Sequence, residues 1–119
     1  MIISDFSKNN AAEELLEEIT KVPLALEIDI LIHNTGIGDT NDFVAMNTSK
    51  IKDTITVHII TGSKLCQMFG IEMKERRQGR IVLISSITSA VPGKFIKTSM
   101  LYVVSSPFNL NVCYHLFYF

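Results

Sequence analysis

Two serines stand at the end of a short apolar stretch, where their hydroxyls could bind a ligand. Ile81–Ile84 is too short for a helix and is typical of a strand buried on both faces. Ser85 and Ser86 follow it directly. Because ligands of open α/β sheets bind at the carboxyl ends of the strands, we expect a binding site at these serines.

A second candidate loop follows another apolar stretch, Ile28–Ile32. It reads His33-Asn34-Thr35-Gly36-Ile37-Gly38, and its glycines allow close backbone approach. Thr35–Gly38 could itself be a nucleotide-binding turn. However, Asn41 stands where a G-x-G-x-x-G motif needs its third glycine, and no strand ending in an acidic residue follows at the right distance. We therefore reject that reading.

The elements that would position these loops alternate between strand and helix. Met1–Ser4 resembles the end of a strand, and Asp5 and Ser7 offer N-cap chemistry for an amphipathic helix that Pro23 ends. A long helix is predicted from Asn47 or Thr48 to about Arg77. Its apolar stripe is Ile51, Ile55, His58, Gly62, Leu65, Phe69 and Met73. The order strand, helix, strand, helix, strand predicts an α/β fold with right-handed parallel crossovers.

Composition limits the class of protein. The 119 residues suffice for one domain or part of one, 47% of them are hydrophobic, and the net charge is −1. Lys and Arg are mixed with Asp and Glu, so neither a nucleic-acid partner nor an anionic membrane is predicted. Cys66 and Cys113 have no metal-like spacing and indicate cytoplasmic thiols, and no apolar run is long enough for a transmembrane segment. No metal site is predicted.

Three stretches, taken in order, resemble the short-chain dehydrogenase/reductase family. Asp29–Gly36 is similar to the family's DxLxNNAG strand and turn, Met73–Ser86 to its M…GxIVxISS segment, and Leu101–Phe108 to YxASKAF. The Lys74–Arg77 turn is most similar to hydroxysteroid- and ketosphinganine-reductase-like members. The resemblance implies that residues 1–108 are a fragment of an NAD(P)-binding Rossmann domain, followed by an apolar aromatic tail at 109–119.

This resemblance implies a partial doubly wound parallel sheet of three strands, without the first βαβ unit. It also implies hydride transfer between NAD or NADP and a small-molecule alcohol or carbonyl, with a lipid or steroid-like substrate among the options. Tyr102 would be the general acid/base, and Ser86, or alternatively Ser89, would orient the substrate oxygen.

The cofactor residues implied by the resemblance each have a simpler structural explanation. Asp5 matches an acidic residue that contacts the adenine, or it is a helix cap. Asn34 and Gly36 match residues that lie against the cofactor, or they form a turn. His58 takes the place of an Asn that supports a proton relay, or it is a core histidine, which we favour.

Two departures from the family pattern weigh against activity. Ser106 stands where the family has the lysine that lowers the pKa of the catalytic tyrosine and holds the ribose; Lys94 and Lys97 lie nearby but do not match the motif. The Gly-rich turn that seats the pyrophosphate would precede Met1. Three functions therefore stay open: an incomplete oxidoreductase, an inactive remnant of one, or a small α/β interaction module that forms a homo- or hetero-oligomer.

Overall fold

The structure, a computed structural model, describes residues 2–22, 27–38 and 45–84. Its elements in chain order are α1 (Ala11–Thr20), β1 (Ile30–His33), α2 (Thr48–Ile55), a π-helical segment (Thr56–Thr61), α3 (Gly62–Arg76) and β2 (Arg80–Leu83). The strands β1 and β2 pair in parallel, with Ile30 opposite Arg80 and His33 opposite Leu83. The α/β class and the parallel crossover connection are therefore confirmed.

Only one face of this sheet is covered in the described part of the chain. Ile81 and Leu83 are buried against the helices, whereas Ile30 and Ile32 are 58% and 61% exposed. Side chains alternate between the faces of a strand, so a strand covered on one side buries every second residue. On β2 itself Val82 is half-buried, and Ile84 directly after it is 48% exposed, so the prediction that Ile81–Ile84 is buried on both faces was wrong.

The predicted third strand at Met1–Ser4 does not form over residues 2–4, the part of it that the structure describes. Residues 2–5 have no regular secondary structure, and the side chain of Ile3 is 84% exposed. A strand needs a neighbour to pair its backbone N–H and C=O groups, and β1 pairs with β2 alone among the described strands. The described sheet therefore has two strands where three were predicted.

Helix α1 forms where the apolar spacing predicted it, but its N-terminal cap differs. The N-cap is Asn10, which makes no side-chain capping bond. Asp5 Oδ1 instead accepts hydrogen bonds from the backbone N–H and hydroxyl of Ser7, at 3.1 and 2.8 Å. Asp5 thus closes a local turn ahead of the helix, as an Asx turn does.

The long helix begins as predicted and is interrupted in the middle. The Asn47 side chain accepts from the backbone N–H of Ser49 at 2.9 Å, which caps α2. The π-helical segment then inserts an extra residue per turn before α3 resumes. The predicted apolar stripe is confirmed in α3, where Leu65, Phe69 and Met73 are buried in the core with Ala12 of α1.

A tight reversal joins α3 to β2. Arg77 has a left-handed backbone, with φ of 53°, and Gly79 has φ of 141°. A Cβ at Gly79 would overlap the side chain of Met73. Glycine is therefore required here both by the backbone conformation and by the close approach to α3.

Arg76 connects the end of α3 to the beginning of β1. Its guanidinium donates to Asp29 Oδ1 at 3.1 Å, to the Ile28 carbonyl at 2.9 Å and to Glu27 Oε2 at 3.3 Å. The side chain is only 22% exposed, so these bonds are partly shielded from water. Arg76 thereby fixes the distance between the helix end and the strand start.

Replacing Arg76 by methionine should lower the free energy of unfolding by about 1–2 kcal/mol, because the bonds of a largely buried guanidinium are lost, among them the part-buried bond to the Ile28 carbonyl. The matched control is Lys21→Met, which removes an ion pair to Glu18 whose two side chains are 66% and 52% exposed. The control should change stability by less than about 0.5 kcal/mol. Urea unfolding followed by circular dichroism measures both; equal effects would contradict the role given to Arg76.

Among the described residues, no helix has the length and apolar character that crossing a membrane requires.

Candidate functional site

The loop 34–38 lies at the carboxyl end of β1 and is exposed to solvent. Pairing between the strands continues to this end, because the Ile84 N–H donates to the His33 carbonyl at 3.0 Å. Ligands of parallel α/β sheets bind at this edge. The loop is therefore the part of the predicted site that the structure places directly.

His58 of the π-helical segment holds this loop against the helix. Its Nε2 lies 3.1 Å from the backbone nitrogen of Ile37 and 2.7 Å from the Ile37 carbonyl oxygen. A neutral ring nitrogen either accepts or donates, so the tautomer decides which of the two bonds is made. A Cβ at Gly36 would lie 2.9 Å from His58 Cε1. Gly36 is thus explained by the close packing of the loop on His58.

His33, the last residue of β1, packs against the same helix: here the histidine belongs to the strand and the glycine it contacts belongs to the helix. Its ring stacks on Phe6, with centroids 6.1 Å apart, and a Cβ at Gly62 would lie 3.0 Å from its Nε2. Neither ring nitrogen makes a hydrogen bond to another described residue. Burial, and secondly the neighbouring His58, lower the pKa of His33, while the nearby backbone of Val57 acts in the opposite direction and raises it.

The π-helical segment brings these groups together. Thr61, in the same segment, donates from its hydroxyl to the Phe6 carbonyl at 3.1 Å, which holds Phe6 over the His33 ring. Segments of this kind are frequent at functional sites because the extra residue changes which side chains face inward. Here the segment presents His58 to the loop and Thr61 to the chain ahead of α1.

Asp5 directly precedes Phe6, the residue that contacts His33 and Thr61. Hydrogen bonds from the Ser7 hydroxyl and then from the Ser7 backbone N–H hold the pKa of the exposed Asp5 carboxyl below its usual range. The carboxylate therefore stays ionised and can only accept hydrogen bonds. Phe6, the residue after Asp5, stacks on His33, the residue before Asn34.

The predicted catalytic residues lie outside the described residues. These are Ser86 and Tyr102, with Ser89 as the alternative serine; Lys94, Lys97 and Ser106 also lie outside the described residues. The contact of His33 with Phe6 and Gly62 was not predicted from the sequence. The one available signal was that His58 and Gly62 fall on the same helical stripe as the core residues.

An opening beside the core lies at the other end of the strands. A cavity of about 390 Å³ is lined by side chains of α1, of α3 and of the stretch before β1, including Leu16, Ile28, Phe69 and Arg76. It is at the amino end of β1. Its place at the amino end argues against it as the ligand site.

A dinucleotide cofactor fits the described edge in part. Asn34 and Gly36 are exposed at the carboxyl end of β1, and a Cβ at Gly38 would meet no atom within 4 Å. The loop therefore presents open backbone and an amide side chain to solvent, as a surface that lies against a flat ligand requires. In the described ranges, no three His, Cys, Asp or Glu side chains are grouped to hold a metal ion.

Comparison with known proteins identifies the family. The family model described as short chain dehydrogenase matches residues 1–98. The hydroxysteroid dehydrogenase-like protein 1 of Gallus gallus is 30% identical over 99 residues, which cover 82% of this chain and 29% of that protein.

Two solved structures share the fold. The bulky-bulky ketone specific alcohol dehydrogenase from Comamonas testosteroni is 22% identical, with a TM-score of 0.78 over 93% of this chain and 42% of that chain. A short-chain dehydrogenase from Sphingobium yanoikuyae in complex with NADPH is 20% identical, with a TM-score of 0.76 over 92% of this chain and 41% of that one.

The chain spans less than half the length of each of these relatives. The family model nevertheless covers most of the chain, including both strands, all the helices and the loop that His58 holds. This chain therefore belongs to the short-chain dehydrogenase family.

Proposed function

We propose that this chain serves an NAD(P)-dependent oxidoreductase that interconverts an alcohol and a carbonyl by hydride transfer. The observation that carries the proposal is the exposed loop 34–38 at the carboxyl end of β1, which His58 fixes to the long helix. The NADPH-bound relative from Sphingobium yanoikuyae and a 4-hydroxyisoleucine dehydrogenase complexed with NADH support the choice of cofactor.

The described residues would hold the cofactor in two places. Asn34 and Gly36 would lie against it at the end of β1. The ionised Asp5 carboxylate would accept a hydrogen bond from the adenine amino group, a role that suits an acceptor whose pKa is lowered. When bound, the cofactor supplies or removes the hydride.

The proton would be handled by residues after β2. We keep Tyr102 as the proposed general acid/base and Ser86 as the residue that orients the substrate oxygen, by resemblance to the family. A small alcohol or carbonyl, with lipid or steroid-like ones included, is the proposed substrate class. The cytoplasm is the proposed compartment, because the two cysteines have no spacing of a secreted disulfide framework.

Cofactor binding tests this proposal. The fluorescence of NADH and of NADPH should change on titration with the chain, and Asp5→Asn should weaken binding about tenfold by removing the charged acceptor. Glu17→Gln, which neutralises an exposed carboxylate on α1, is the matched control and should leave binding unchanged. No fluorescence change at millimolar cofactor would overturn the proposal for this chain.

An inactive member of the family is the second candidate, favoured by Ser106. A serine at this position carries no charge to lower the pKa of Tyr102 or to grip the ribose. In this case the chain binds cofactor but does not reduce carbonyl compounds. Turnover that appears only in Ser106→Lys would support this candidate, and turnover in the unaltered chain would reject it.

The exposed sheet face favours a third candidate, an interaction module. Ile30, Ile32 and Ile84 present apolar surface on and beside β1 and β2, and β1 has an unpaired edge among the described strands. Light scattering separates this candidate from the others. A stable oligomer that persists on dilution supports it, and a folded monomer rejects it.

A further inference from the structure

Two histidines and two glycines form a reciprocal contact between the end of β1 and the long helix. His33 comes from the strand and lies on Gly62 of the helix, whereas His58 comes from the helix and lies on Gly36 of the loop. His33 is 2% exposed and His58 is 4% exposed. Each imidazole therefore occupies space that only a glycine on the opposite element leaves open.

The surroundings of His33 suit an uncharged ring. Phe6 stacks on it at an interplanar angle of 15°, Gly62 closes one edge, and neither nitrogen has a hydrogen-bond partner among the described residues. Phe6 from the chain ahead of α1, and Val57 and Gly62 from the helix, carry no charge. Among the described residues, the titratable group that faces His33 is His58, also on the helix, and its proximity disfavours protonation of His33. A protonated His33 would therefore be a buried charge without a carboxylate to pair with.

We propose that His33 and His58 form an acid-sensitive latch, which holds the loop 34–38 on the π-helical segment while His33 is neutral and releases it when His33 takes up a proton. The chain of contacts is direct. His33 ends β1, the loop follows it immediately, and Ile37 of the loop is attached to the helix by its contact with His58. The proposal rests on this packing and not on cofactor binding.

The direction of the pH effect follows from the pKa of His33. Burial and His58 lower it below its usual 6.5, so the released or unfolded chain binds the proton more readily than the closed one. The stabilisation is complete above pH 6.5 and is lost as the pH falls below that value. The closing equilibrium constant should fall by up to about tenfold per pH unit in this range.

Hydrogen exchange at the Ile37 amide measures the latch, because this N–H faces His58 Nε2 at 3.1 Å. The full chain carrying His115→Gln is followed from about pH 7.5 to about pH 5.5, a range that spans the usual histidine pKa, with correction for intrinsic exchange. Protection of Ile37 should fall by up to about tenfold per pH unit below 6.5. Protection that does not change with pH would overturn the proposal.

His33→Phe and His58→Asn separate the two histidines. Phenylalanine keeps the stacking on Phe6 and cannot take up a proton, so the pH dependence should flatten. Asparagine at 58 can still donate to and accept from the Ile37 backbone, and the dependence due to His33 should persist. An undiminished dependence in His33→Phe would overturn the proposal.

A measurement on the unaltered chain decides the matter if His33→Phe does not fold. The ring protons of His33 are titrated by nuclear magnetic resonance. A midpoint below 6.5, with the Ile37 amide shift changing in the same range, supports the latch. A midpoint at or above 6.5 overturns it.

Discussion

Gly79→Ala is expected to destabilise the chain by about 3 kcal/mol, from left-handed backbone strain together with overpacking. The φ of 141° at this position is one that side-chain-bearing residues rarely adopt. The added methyl would also overlap Met73, which belongs to the core and cannot move away without disturbing Phe69 and its neighbours. The urea midpoint of the circular dichroism signal measures the loss.

Gly38→Ala provides the matched control, since a Cβ there meets no atom within 4 Å. Its midpoint should stay within about 0.5 kcal/mol of the parent, as for other exposed positions. The double variant Gly79→Ala with Met73→Ala should lose less than the sum of the two single changes, because the overlap is relieved. Equal midpoints for Gly79→Ala and the parent would contradict the turn described between α3 and β2.

Phe69→Ala should cost about 3–5 kcal/mol, the range for emptying a buried aromatic position. Phe69 is 3% exposed and packs in one cluster with Leu65, Met73 and Ile81, so its removal leaves a cavity between the helix and the sheet. In a domain this small, a loss of that size removes most of the expected stability. The same urea titration reports it.

Ile71 is the control for this change, because it lies on the same helix and is 56% exposed. Ile71→Ala should change the free energy of unfolding by less than about 0.5 kcal/mol. A larger effect at Ile71 than at Phe69 would mean that the helix faces the sheet with a different side from the one described.

The elements were predictable because their causes are local. The spacing of apolar residues predicted α1 and the long helix, and Asn47 has a side chain that can close a helix start. The π-helical segment was not predictable, because it shifts the hydrogen-bond register without a characteristic residue. The exposure of Ile30 and Ile32 was also unpredictable, because it depends on what covers the sheet and not on the strand itself.

The candidate site was predictable to the same limited degree. Asn34 and Gly36 lie at the strand end, as their position after an apolar run predicted, and His58 is buried as favoured. The sequence could not predict that Gly36 packs on His58 or that Gly62 packs on His33, because each contact joins residues far apart in the chain. Ser86 and Tyr102 stay predictions.

The two histidine–glycine contacts, His58 with Gly36 and His33 with Gly62, make substitutions at the paired positions interdependent. A side chain at 36 would crowd His58 and a side chain at 62 would crowd His33, so each requires the imidazole to shift. A smaller residue at 58 or 33 relieves the crowding at its partner. Related sequences should therefore differ at positions 36 and 58 together, and at 33 and 62 together, so that two replacements which each harm the protein alone become neutral in combination.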